Sequence, residues 1–312
     1  MKIIFFGSDD FAVAHLKALV GSQHQVVACV TQPDKKKGRH LQVGVSLVKE
    51  FALQEKIPLL QPDDLTDKKF INQLKNDDSD LFVVVAYGKI LPKEVITLPK
   101  IFCINIHGSL LPKYRGAAPI HWAIIKGEAE TGISIIKINE SLDAGDIIAQ
   151  KKLKIEHNDT AISLRAKMAE TSASFLLETL ESIEAKSYQL TKQDNARVSH
   201  APKLAKEHGL IDWKKPALEI HNLVRGLLPW PCAYTLYGGQ QLKILQTEVI
   251  QKESGKFSPG EVVNIAKDGF IVVTGKDTLK ITHVHLESAK PMDAKSFLAG
   301  HKLGIGFRFV KK

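Results

Sequence analysis

The run Ile104-Asn105-Ile106-His107 leads into Gly108-Ser109-Leu110-Leu111-Pro112-Lys113-Tyr114-Arg115-Gly116. Side chains alternate along a strand, so Asn105 and His107 emerge on one face at its end. A neutral amide can donate to a carbonyl oxygen, and an imidazole can exchange protons near neutral pH. Together they suit acyl transfer, in which a carbonyl is polarised while an attacking or leaving group changes protonation. An isolated Asn-x-His also suits a strand end whose side chains only satisfy loop backbone groups, as such common pairs more often do. Further on, Leu142-Asp143-Ala144-Gly145-Asp146 places two carboxylates in a Gly-containing turn. Asp143 has the type required to orient an imidazole and stabilise its cationic form, the part of the third group in a triad.

These residues need a frame. Ile3 to Phe6, Val26 to Val30, Leu81 to Ala86, Ile101 to Ile104 and Ile133 to Ile136 are short apolar runs, and helix-period stretches such as Phe11, Ala14, Leu16 and Leu19 separate the earlier ones. Alternating strands and helices of this kind predict an α/β, doubly wound, mostly parallel sheet of Rossmann-like type. Residues 160–184 predict one long amphipathic helix, capped by Thr160 or Asp159, with Leu164, Met168, Phe175, Leu176 and Leu180 inward. Residues 190–207 are polar and lack sustained periodicity, as a linker would. Beyond a short helix near 217–227, strand-like segments broken by glycines predict a small OB-like β-barrel. The expected organisation is a catalytic domain over 1–189, a linker over 190–207 and a second domain over 208–312.

With 25% charged and 44% hydrophobic residues among 312, the composition is that of a globular protein. The four apolar residues before Gly7-Ser8-Asp9-Asp10 are too few for a signal peptide or a membrane span. Cys29, Cys103 and Cys232 are odd in number and widely spaced, which fits neither a disulfide framework nor a zinc site, so a cytoplasmic location is expected. No second or third glycine follows Gly7 at dinucleotide spacing, and no P-loop occurs. His283 and His285 alternate on a strand without a Cys or carboxylate at ligand spacing, and no metal is expected. Trp213, Trp230 and Phe270 suit packing better than base stacking.

The series Asn105-Ile106-His107-Gly108-Ser109-Leu110-Leu111-Pro112-x-Tyr114-Arg115-Gly116, then Leu142-Asp143-x-Gly145-Asp146, resembles the folate-dependent formyltransferase family. The resemblance extends over nearly the whole chain, through Phe5-Phe6-Gly7, Thr31-Gln32-Pro33-Asp34, Val84-Val85-Ala86-Tyr87-Gly88-x-Ile90-Leu91-Pro92, Ala201-Pro202-Lys203-Leu204, Ile211-Asp212-Trp213 and Arg225-x-x-x-Pro229-Trp230-Pro231. It implies that 10-formyltetrahydrofolate donates a formyl group to an amine, with Asn105 and His107 steadying the formyl oxygen and Asp143 orienting His107 and helping to carry the amine's proton. It also implies that Ser109, Leu110, Leu111 and Pro112 line the folate pocket.

The amine implied by the resemblance is the α-amino group of initiator methionyl-tRNA, with a nucleotide-linked amino sugar as the alternative. A noncatalytic tRNA-binding protein of the same fold is a further alternative. The basic segment Lys35, Lys36, Lys37 and Arg39 suits contact with tRNA phosphates. Relatives commonly carry their lysines after the Gly-Arg pair, whereas this chain carries them before Gly38, and Ser141 stands where glycine is frequent. The net charge of +9 is uneven: residues 1–205 carry 27 basic and 24 acidic side chains, and residues 206–312 carry 16 and 10. The shorter region therefore holds most of the attraction for a polyanion. A monomer without membrane attachment is expected.

Overall fold

Every residue of the first strand after Lys2 is buried, because a parallel strand inside a sheet is covered on both faces. That strand is β1 (Lys2–Gly7), and α1 (Asp10–Val20), β2 (Gln25–Val30), β3 (Lys35–Lys37), β4 (Gln42–Gly44), α2 (Leu47–Gln54) and β5 (Leu59–Leu60) follow it. Next come α3 (Lys68–Asn76), β6 (Leu81–Val85), α4 (Lys93–Ile96), β7 (Phe102–His107), α5 (Pro119–Ile125), β8 (Glu130–Lys137), β9 (Ile147–Lys154) and α6 (Ala161–Glu184). The computed structural model describes residues 1–37, 42–251 and 257–309.

The chain divides into two units. The first comprises Met1–Pro119, Glu130–Lys154 and Arg165–Ala201. Its sheet has the order β5-β2-β1-β6-β7-β8-β9. The first five of these strands are parallel, while β8 and β9 run antiparallel to their neighbours. Ile4, Phe6, Ala28, Val30, Phe82, Val84 and Cys103 share one core with Phe70, Leu74 and Tyr87. Each valine, leucine, isoleucine or phenylalanine side chain among them contributes about 1.5–3 kcal/mol when removed from water. The expected mostly parallel α/β sheet is therefore present. The strand β9 alternates half-buried and exposed positions at the sheet edge, so it lacks the apolar run that marks the central strands.

The second unit comprises Ile120–Ala129, Ile155–Leu164 and Pro202–Lys312. It contains α7 (Ala217–Gly226), β10 (Ala233–Tyr237), β11 (Gln240–Ile250), β12 (Val262–Ala266), β13 (Gly269–Val273), β14 (Thr278–Leu286), β15 (Met292–Asp293) and α8 (Ala294–Gly300). Its OB-like antiparallel sheet has the order β10-β11-β14-β13-β12, with β15 paired to β14. Thr160 proves to be the cap of α6: its hydroxyl accepts from the Ser163 N–H, and the Ser163 hydroxyl accepts from the Thr160 N–H. The inward residues expected of that helix, Leu164, Met168, Phe175, Leu176 and Leu180, are all buried.

The segment expected as a linker is not bare chain. Thr191 exchanges backbone hydrogen bonds with Ile147, and Arg115 forms a bridge with His200. Residues up to Ala201 thus belong to the first unit. Their ladder-like bonds satisfy backbone groups without the apolar periodicity that marks regular elements.

Candidate functional site

In an open α/β sheet, ligands meet the carboxyl ends of the strands, and β7 ends at His107. His107 is 6% exposed and the Asp143 side chain 9% exposed. His107 Nε2 lies 2.9 Å from the Tyr114 carbonyl oxygen, which can only accept, so this nitrogen carries a proton. His107 Nδ1 faces Asp143 Oδ1 at 3.5 Å. Asn105 Nδ2 donates to the same Oδ1 at 3.4 Å, and the Gly116 N–H donates to Oδ2 at 2.9 Å. Of the three side chains anticipated to work together, Asn105 and His107 thus both meet one carboxylate oxygen of the third, Asp143. The tautomer is set by the Tyr114 carbonyl rather than by Asp143, which leaves Nδ1 as the ring nitrogen facing the carboxylate.

Two residues hold this arrangement in the left-handed backbone region: Tyr114 at φ 61° and Asp143 at φ 52°. Such conformations persist at non-glycine positions only where surrounding contacts over-determine them. For Tyr114, they come from residues 199–201. Ser199 Oγ accepts from the Tyr114 N–H at 2.9 Å, Ser199 O accepts from the Arg115 N–H at 2.9 Å, and Arg115 O accepts from the Ala201 N–H at 2.7 Å. Gly116 has φ 124°, and a Cβ there would stand 2.6 Å from the Ala201 oxygen, so the close approach requires glycine.

The 109–113 loop is fixed from the neighbouring strands. Antiparallel pairing sets Ser134 opposite His107 and Gln150 opposite Ser134. The buried Ser134 hydroxyl donates to Ser109 O at 2.6 Å and accepts from the Leu111 N–H at 3.0 Å. Gln150 Nε2 donates to Leu111 O and to Ser134 Oγ. Ser109 Oγ donates to Lys113 O at 2.6 Å, so its hydroxyl hydrogen is engaged within the loop. Leu111 is buried, whereas Leu110 and Pro112 are half-buried. Leu110 lies over Gly132, where any Cβ would overlap it.

Sequence reasoning did not single out Gln193, Ser134 or Gln150. Gln193 Nε2 donates to Asp143 O and Gly145 O, each at 2.8 Å, while its Oε1 accepts from Arg115 Nε at 3.0 Å and Nη2 at 2.8 Å. No pattern within 187–208 marks this glutamine, because its partners are distant in sequence. Near the ends of β1, β2 and β6, the Tyr87 carbonyl accepts from Gln32 Nε2 at 2.7 Å and from Ser8 Oγ at 3.3 Å. The Tyr87 phenol is buried edge-on against Phe6, and its Oη has no hydrogen-bond partner among the described residues. Burial pushes its pKa up to about 12.

The basic segment suggested for tRNA contact is partly described. Lys35–Lys37 form β3, paired antiparallel with β4, while Arg39 lies outside the described residues. Trp213 is 5% exposed, stacks on Phe309 and donates its indole N–H to Thr235 Oγ1, and Phe270 is fully buried. Trp230 is 49% exposed. His285 Nε2 meets Ala289 O at 3.0 Å, and His283 Nδ1 lies 3.3 Å from Thr282 Oγ1. All three cysteines are free and buried. Among the described residues, no helix is long and apolar enough to cross a membrane.

A mostly parallel α/β unit with an Asn-His-Asp cluster at a strand end, followed by an antiparallel unit, is the architecture of the formyl transferases, and the chain belongs to that family. Residues 1–180 match the formyl transferase domain, and residues 203–302 match the formyl transferase C-terminal domain. Within the family, the chain is 42% identical over 306 residues to a methionyl-tRNA formyltransferase of Acetivibrio thermocellus, covering 98% of both chains. It is 45% identical over 307 residues to one of Caldanaerobacter subterraneus, covering 98% of this chain and 99% of the relative. The fold is also that of WlaRD, a sugar 3N-formyltransferase solved in the presence of dTDP and 5-N-formyl-THF, with a TM-score of 0.68 and 22% identity over 93% of this chain and 99% of that one.

Proposed function

We propose that this chain transfers the formyl group of 10-formyltetrahydrofolate to the α-amino group of initiator methionyl-tRNA, supplying formyl-methionyl-tRNA for translation initiation. The observation that carries the reading is identity of 42% and 45%, over alignments that span both units, to relatives named methionyl-tRNA formyltransferase. The cluster of Asn105, His107 and Asp143 supports it with suitable chemistry.

The donor set fits a formyl group. Asn105 Nδ2 has two hydrogens, and only one is directed to Asp143 Oδ1. The other can meet a formyl oxygen as it gains negative charge, an interaction worth about 3 kcal/mol per donor in comparable sites. A protonated His107 keeps Nε2–H on Tyr114 O and presents Nδ1–H on the Asp143 side, where it can share charge with the same oxygen or return a proton to the leaving nitrogen. Asp143 can accept the proton that the attacking amine loses, directly or through water, because its Oδ1 contacts are long while Oδ2 is held by the Gly116 N–H. The folate is a co-substrate in this reading, held by the Ser109 to Pro112 loop that Ser134 and Gln150 keep in place. No protein-bound metal has a part in it.

The second unit, where most of the excess positive charge lies, and the Lys35 to Lys37 strand with Arg39 would grip the tRNA, while the first unit does the chemistry. The protein would work as a monomer in the cytoplasm. The deciding experiment incubates the purified protein with 10-formyltetrahydrofolate and charged initiator tRNA. Formyl-methionyl-tRNA is the expected product. Release of formate alone, or formylation of a dTDP-linked amino sugar but not of the tRNA, would overturn the reading.

A further inference from the structure

We propose that Gln193 is a positioning residue for Asp143, acting through the backbone of the 143–145 turn. The inference rests on the reading of Asp143 as a participant in formyl transfer. Arg115 can only donate, so the oxygen of the Gln193 amide must face Arg115 Nε and Nη2, and the NH2 must face the turn. Both amide hydrogens are then used, one on Asp143 O and one on Gly145 O, each at 2.8 Å. Two carbonyls on either side of Ala144 are held by one side chain, and the first of them belongs to Asp143, whose own φ is 52°.

The consequence reaches His107 from two directions. Asp143 Oδ1 lies 3.4 Å from Asn105 Nδ2 and 3.5 Å from His107 Nδ1, near the outer limit of useful contact. A small displacement of the turn would break both. Arg115, whose guanidinium orients Gln193, lies in the loop between Tyr114, which fixes His107 Nε2, and Gly116, whose N–H holds Asp143 Oδ2. The amide therefore couples the loop that sets the imidazole to the turn that carries the carboxylate.

The test compares Gln193→Ala, Gln193→Glu and Asp143→Ala, with the double variant Gln193→Ala, Asp143→Ala, in steady-state and single-turnover formylation of methionyl-tRNA. Gln193→Glu keeps acceptors for Arg115 but turns a carboxylate toward two carbonyl oxygens, so it removes the positioning while retaining an ion pair that supports folding. Both Gln193 variants should lose about 10- to 100-fold in kcat, as misplacement of a reacting group by about 1 Å does. KM for folate and for tRNA should stay within about threefold, because no binding contact is removed. In the Asp143→Ala background, Gln193→Ala should cost less than about threefold more, since residues that act as a unit are not additive. Full activity of Asp143→Ala would defeat the underlying reading of the site. With Asp143→Ala impaired, a wild-type kcat in Gln193→Glu, or a Gln193→Ala loss that multiplies in full in the double variant, would overturn the role of Gln193. If Gln193→Ala does not unfold cooperatively, the kcat and KM of folded Gln193→Glu decide.

Discussion

Gly145→Ala probes how closely the turn is built. A Cβ at this position would overlap Lys137 O and stand 2.9 Å from the Lys137 carbonyl carbon. Carbon atoms rest at about 3.5–4.0 Å, so the turn would have to withdraw by about 1 Å. Gly145 does not occupy the left-handed region, so space and not backbone preference sets the effect. Withdrawal strains the bond from the Lys137 N–H to Asp146 O and both Gln193 bonds to the turn. At about 1 kcal/mol net for each hydrogen bond, stability should fall by about 2–3 kcal/mol. Asp143 moves with the turn, and kcat should fall by about 100-fold. Urea unfolding gives the first quantity, and initial rates of methionyl-tRNA formylation at saturating substrates give the second. A variant with both the unfolding midpoint and kcat of the parent would refute the reasoning, for it would mean that the turn yields freely and Asp143 needs no fixed seat.

His107→Ala should lower kcat by about 100- to 10,000-fold while leaving a cooperative unfolding transition, the range expected for loss of a proton-transferring group; near-normal turnover would remove His107 from the chemistry. Replacing Lys35, Lys36 and Lys37 together by Gln should weaken tRNA binding, flatten its salt dependence by up to about two units of slope and spare folate affinity, and an unchanged slope would return these residues to a solvated surface. Acid should destabilise both units through buried imidazoles. Burial lowers His15 in α1 from 6.5 to about 4, and burial with the neighbouring Arg225 and His157 lowers His221 in α7 from 6.5 to about 4. The unfolded chain takes up these protons first, so the contribution is fully present above about pH 6.5 and is lost as pH falls toward 4, on the order of 3 kcal/mol for each group. Urea midpoints measured from pH 7.5 to 4.5 should fall, and a flat profile would count against neutral buried histidines.

The central strands were legible because a strand covered on both faces must be apolar throughout, and the bulk of the long helix α6 was legible from its own periodicity. The short edge strand β5, the alternating edge strand β9 and the short strand β10 were not, since their half-exposed or brief patterns differ little from loops. Asn105 and His107 could be put on one face from alternation alone, and Gly145 could be placed in a turn, whereas Gly116 carried no such reading. Their reasons were hidden: Gly116 yields to the backbone of Ala201 and Gly145 to that of Lys137.

By itself, then, the sequence determined the mostly parallel α/β class, the kinds of group available for acyl transfer and the concentration of positive charge after residue 205, all of which are local or additive properties. Only the tertiary structure decided that Tyr114 rather than Asp143 fixes the imidazole tautomer, and that residues 191–201 brace the loop around Arg115 instead of trailing free. It also decided that one glutamine outside every recognised motif holds the turn bearing Asp143. These features depend on hydrogen bonds between residues far apart in the chain, whose partners are chosen by distance and direction, and neither is encoded in any local pattern.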